Sequence, residues 1–315
     1  MRLMKCLMAA LTLALLLQTR AHAQDFFFSS GDPDGLMAVA TRPESPGKIE
    51  HEAGSNFVLQ RETLLINATF VGIIPPDAQL SDISQVTIEI YRVFPNDSDP
   101  NRPIQVPTRV NSPADVEFDD RSSADGSLSY VVFPLDPNFP VQNTVITGIF
   151  PSPDQTTGGD GPTTGQGVLI DVTFVVPFDL PADNYFFVPQ VQLDNPGDFL
   201  WLSSPFPAFD GNLQLWTRDA NLDPDWLRVA TDIVGGDPKF NGSFTITGLE
   251  FSEEENVTRV DRADTNRLTD SPTSNGNSSV ALTSVPASGH GQLALFGVGL
   301  LGLFGLGWQW RKLSA

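Results

Sequence analysis

The chain has 315 residues, with 18 Lys and Arg against 38 Asp and Glu, for a formal net charge of −20. A chain this acidic repels nucleic-acid phosphates and anionic lipid head groups, which argues against nucleic acid as a partner. Its single cysteine, Cys6, lies in the apolar N-terminal stretch, so the rest of the chain has no thiol nucleophile, disulfide or cysteine-based metal site.

Residues 1–23 have the three zones of a secretory signal peptide: Arg2 and Lys5, then the apolar run 7–17, then an A-x-A cleavage site at Ala21 and Ala23. The apolar run is shorter than a bilayer-spanning helix needs. The body that follows, residues 24–250, is about 225 residues long, enough for one large β-domain or two small ones. His51 is its only histidine. Imidazole zinc sites are thereby excluded, and the polar neighbours Lys48, Glu50 and Glu52 place His51 on a solvated loop or edge strand.

The periodicity of the body is that of strands. Residues 85–94, QVTIEIYRVF, put Val86, Ile88 and Ile90 on one face and Thr87, Glu89 and Tyr91 on the other, the period-2 pattern of a half-buried strand. On this reading Glu89 is solvated. Further strands are predicted at 63–71, 129–133, 145–150, 168–176, 185–193, 199–203, 213–216 and 240–251, separated by clusters of Pro, Gly, Asp and Asn. A single helical turn is expected at 80–85, capped by Ser81 or Asp82. The 26 prolines would break most longer helices. The predicted fold is therefore all-β, an antiparallel β-sandwich of jelly-roll or immunoglobulin-like kind, with a closed barrel as the lesser alternative. Residues 151–166, rich in Gly, Thr and Pro, read as a flexible loop or as a boundary between two halves.

Three kinds of candidate site are visible. Asp32 and Asp34 in one turn, and Asp97 and Asp99 in another, could supply oxygen ligands to a structural Ca²⁺. Such residues also form turns by bonding the local backbone, and neither stretch has the spacing of an EF-hand. Among the tryptophans, Trp201 and Trp216 sit in apolar strands and are expected in the core. Trp226 follows Asp223, Pro224 and Asp225, so it could be exposed and stack on a sugar ring. Carboxylate pairs suited to glycoside hydrolysis are too easily met by chance among 38 acids to single any out.

Beyond the body, residues 251–284 are dominated by Ser, Thr, Asn and Asp and read as a disordered linker. Val285, Pro286, Ala287, Ser288 and Gly289 then precede the apolar run 293–310, which ends at Arg311 and Lys312. As a helix that run would be about 27 Å long, enough to span a hydrocarbon core. Trp308 and Trp310 suit an interface, and Arg311 and Lys312 suit the cytoplasmic side. This arrangement resembles the PEP-CTERM sorting tail of bacterial surface proteins and its VPDSG-CTERM variant, with alanine at the third signature position. The resemblance is confined to residues 285–315. It implies processing by an exosortase, delivery to the cell surface and association with exopolysaccharide.

The expected protein is thus a non-enzymatic secreted or surface-displayed bacterial protein, held to the membrane by one C-terminal helix or released from it. It needs no cofactor, and its partners are the export machinery and an exosortase. The alternatives are a carbohydrate- or Ca²⁺-binding extracellular module and, third, a secreted hydrolase.

Overall fold

A computed structural model of the chain describes residues 24–101, 110–149, 156–194, 197–205, 214–236 and 240–251. The chain divides into two units, Met1–Leu268 and Thr269–Ala315, the second wholly outside the described residues. The expected signal peptide with Ala21 and Ala23, nearly all of the expected linker, and residues 285–312 also lie outside them. Among the described residues no helix is long and apolar enough to cross a membrane.

The described strands, in chain order, are β1 (Gln24–Ser29), β2 (Met37–Ala40), β3 (His51–Leu59), β4 (Thr63–Ile74), β5 (Ile83–Arg92), β6 (Asp119–Ser122), β7 (Leu128–Pro134) and β8 (Phe139–Val141). They continue with β9 (Asn143–Val145), β10 (Thr163–Leu180), β11 (Asp183–Leu193), β12 (Leu200–Pro205), β13 (Trp216–Asp219), β14 (Leu227–Arg228), β15 (Phe240–Gly242) and β16 (Phe244–Glu250). The all-β prediction is met. Of the expected helical turn, only a 3-10 turn at Leu80–Asp82 forms. Asp82 stands at its end rather than its start, and its carboxylate accepts the Gln79 N–H at 2.8 Å. The apolar alternation then takes over at Ile83 and draws the chain into β5.

The strands form two sheets. The first runs β1-β16-β4-β12-β2-β9, with β10 on the other side of β4, β7 and β8 on β10, and β15 on β12. The second runs β14-β13-β3-β11-β5-β6. Pairing is antiparallel except between β2 and β9, which run parallel with Met37 beside Asn143 and Val39 beside Val145. The first sheet is therefore mixed, where an antiparallel one was expected.

One apolar core lies between the inner faces of the two sheets. From the first sheet it takes Phe70, Val168, Ile170, Val172 and Phe244; from the second, Phe57, Ile88, Ile90, Tyr185 and Phe187. Aromatic contacts join the layers. Phe187 also lies 6.2 Å from Phe70 and 6.2 Å from Trp201, in tilted, edge-on arrangements that suit the ring quadrupoles. The Trp201 indole N–H is satisfied by the Ser243 carbonyl at 2.9 Å. Gly242 makes this possible, because a Cβ there would land inside the Trp201 ring.

β3 was not predicted. Its core face is Ala53, Ser55 and Phe57, and its other face is Glu52, Gly54 and Asn56, so apolar and polar residues do not separate cleanly along it. It is nevertheless central, flanked by β11 and β13, and buried on both faces.

Candidate functional site: a closed carboxyl–arginine cluster

The outer face of the second sheet is covered. Trp226 reaches over it from the segment between β13 and β14, is 1% exposed, and donates its indole N–H to the Ala114 carbonyl at 3.1 Å. Together with Tyr91, Phe186, Val188 and Trp216 it forms a second apolar cluster on this face.

Beneath that cover three strands bring ionisable groups together. Arg218 of β13 stands beside Glu52 of β3 in register. Its guanidinium grips the Glu52 carboxylate with two groups, Nε to Oε2 and Nη2 to Oε1 at 3.0 Å. The same Nη2 donates to the Tyr91 hydroxyl of β5 at 2.9 Å. Nη1 pairs with Asp223 at 2.8 Å and donates to the Pro224 carbonyl at 3.3 Å, tying the covering segment down. The guanidinium carbon lies 4.4 Å over the Trp226 ring.

Tyr91 is also shared by two carboxyls. Its oxygen lies 2.9 Å from Glu52 Oε1 and 3.3 Å from Glu89 Oε2. A phenol carries one proton and cannot donate to both fully. Burial pushes the Glu89 carboxyl well above its ordinary range, and the neighbouring charges of Glu52, Glu117 and Glu50 push it further. Glu89 therefore holds its proton more tightly than an ordinary carboxyl, and it is Glu52 that faces arginine. Burial, reinforced by Glu52, also raises the Tyr91 phenol. Burial opposes the Arg218 charge, but Glu52 and Tyr91 outweigh it and hold the proton more tightly than usual. Around the rim, burial and acidic neighbours raise Glu50 and Glu117 as well.

In chemical type this is a pair of carboxyls in unlike surroundings, one facing an arginine and one with its proton affinity raised by burial. Its geometry is closed, however: Glu52 is 3% exposed and Glu89 9%, and Arg218 occupies the space in front of Glu52. The solvated Glu89 read from the sequence is corrected here, because its face of β5 carries a lid. Trp226 is corrected in the same way. Its ring is buried against Arg218 and Tyr91 and offers no face to a sugar. His51 is not solvated either: it opens β3, is 5% exposed, and lies with Nδ1 3.4 Å from Arg42. Burial, then the Arg42 charge, lowers it to about 4.

The acidic turns do what turns do. Asp34 accepts the Leu36 N–H at 2.9 Å and the Ser203 hydroxyl at 2.5 Å. Asp97 pairs with Arg92 at 3.3 Å, and Asp99 accepts the Asn101 N–H at 2.8 Å. Asp32 is exposed. Among the described residues no three His, Cys, Asp or Glu side chains converge as a metal site would require. Two shallow clefts open elsewhere on the first sheet. One, of about 280 Å³, is lined by Ile73, Pro75, Ile146 and Leu200; the other, of about 250 Å³, by Met37, Asn143, Val234 and Phe240. Neither holds a residue singled out by the sequence.

The cluster itself was missed at the sequence level, although a signal existed. Arg218 lies two residues after Trp216, on the same face of a strand whose tryptophan is expected in the core, in a chain poor in cations, and an arginine so placed needs a buried acid.

No protein-family model matches the chain, and neither the curated proteins nor the solved structures yield a match.

Proposed function

We propose that the chain is a non-enzymatic exported protein of the bacterial envelope or extracellular matrix, in which an all-β body is presented to the outside. The observation that carries this reading is the closure of the Glu52–Glu89–Tyr91–Arg218 cluster. The groups best equipped for acid–base catalysis are committed to fastening a covering segment onto a sheet, and no substrate can reach them without undoing that cover. We read the stacked sheets as a β-sandwich of the jelly-roll or immunoglobulin-like kind.

The address comes from the ends. Residues 1–23 carry the export signal, cleaved after Ala23. The tail from Val285 to Lys312 carries the sorting signature, the membrane helix and the basic stop, and is the substrate of an exosortase. The strong acidity favours neutral partners such as exopolysaccharide over anionic ones.

Fractionation of the producing cell tests the proposal. The protein is expected in the membrane and extracellular fractions, and recovery of folded chain from the cytosol alone would overturn it. A hydrolase reading would instead require activity that Glu89→Gln abolishes while the fold is kept.

A further inference from the structure

β7 is an open edge. Among the described residues it pairs with β10 on one side and with no strand on the other. Natural edge strands are usually blunted by a charge, a bulge or a cover, because an open row of backbone groups invites another strand. Here the stretch 126–135, GSLSYVVFPL, carries no charge in a chain of net charge −20. Its outward side chains are apolar and open: Val131 is 57% exposed, Phe133 47% and Leu135 53%.

The backbone pattern fixes which groups are free. Leu135 N–H donates to the Gly167 carbonyl at 2.8 Å. With a two-residue repeat, Ser129, Val131 and Phe133 therefore turn their backbone groups toward β10, and Tyr130 and Val132 turn theirs away. Pro134 also faces outward and has no N–H, so it ends the free ladder.

We propose that this edge pairs with the same edge of a second copy, antiparallel about a two-fold axis centred on Val131. Identical strands meet there with complementary groups: Tyr130 exchanges two hydrogen bonds with the partner's Val132, Val132 does the same with the partner's Tyr130, and Val131 lies opposite the partner's Val131. The occupant follows from charge. Two copies of so acidic a chain repel over most of their surfaces, and this charge-free edge is where they can approach. A basic partner would find no counter-charge on it. Asp125 and Asp136, which flank the stretch, come near each other's counterparts at the two ends of the ladder, so screening by salt strengthens the pairing.

Cross-linking tests this in the full chain with Cys6→Ser, which removes the only native thiol. Facing residues in a non-hydrogen-bonded pair are close enough for a disulfide. Val131→Cys is expected to form a linked dimer at least about ten-fold faster than Ile49→Cys, an exposed site elsewhere, and faster in high salt than in low. Adding Val132→Pro, which removes one outward N–H from an edge that tolerates proline, should return the rate to the control. Equal rates at positions 131 and 49, or linking that Val132→Pro leaves untouched in a folded chain, would overturn the proposal.

Discussion

Phe187 of the second sheet and Phe244 of the first lie parallel, with ring centroids 4.8 Å apart and planes inclined by 1°. Both are fully buried, and Phe187 also meets Phe70 and Trp201. This one ring of the second sheet thus meets three aromatic rings of the first. Phe187→Ala should cost about 3–5 kcal/mol, the usual range for deleting a buried phenylalanine, while Phe187→Leu should cost less. Urea melts followed by circular dichroism measure both.

Arg218 should be harder to lose than a surface arginine. Removing it leaves Glu52 buried and unpaired and releases Asp223 from the sheet. Arg218→Met should therefore destabilise by about 3–5 kcal/mol. The double variant Arg218→Met with Glu52→Gln should recover part of that, because no uncompensated charge remains. If the single and double variants melt alike, the pair is not coupled as described.

Stability should fall off on both sides of mildly acidic to neutral pH. On the acid side the group is His51, lowered to about 4 from an ordinary 6.5 by burial and by Arg42. The unfolded chain binds the proton more readily than the folded one, so the His51 contribution to stability is complete above pH 6.5. About 3 kcal/mol is lost as the pH falls toward 4. On the alkaline side the group is Glu89, whose carboxyl is raised by burial and by Glu52. There the folded chain holds the proton longer, so stability declines as the pH climbs from 4.5 toward the raised value. His51→Gln should flatten the acid limb alone, and Glu89→Gln the alkaline limb alone. Thermal melts from pH 4 to pH 9 separate the two.

Gly72 and Gly242 are packing requirements rather than turn glycines. An added Cβ would strike the Phe199 ring at position 72 and the Trp201 ring at position 242. Gly242→Ala should cost about 1–3 kcal/mol by overpacking. Gly47→Ala probes something different: the open space around it excludes a clash, and any cost there comes from its backbone φ of 82°.

Legibility followed contrast. β5 could be read because Val86, Ile88 and Ile90 alternate with polar neighbours, and the core is where that alternation put it. The other face misled, because alternation shows which side is apolar but not whether the polar side is wet. A tryptophan more than a hundred residues away in sequence packs on Tyr91, the neighbour of Glu89 on that face. β3 was unreadable for a related reason. Glu52 tolerates burial because Arg218 supplies its partner from a strand more than 160 residues away, and no local pattern encodes that. Tryptophan exposure failed similarly: the polar turn before Trp226 suggested solvent, whereas its charges anchor the ring downward through Asp223 and Arg218.

Intact mass of the native protein is the most direct test of the central claim, that an all-β payload is exported and sorted through its two ends. The account predicts a mature chain beginning at Gln24, and a C-terminus within or just after residues 285–289 in the released fraction. A single species running from Met1 to Ala315 in every fraction would contradict it.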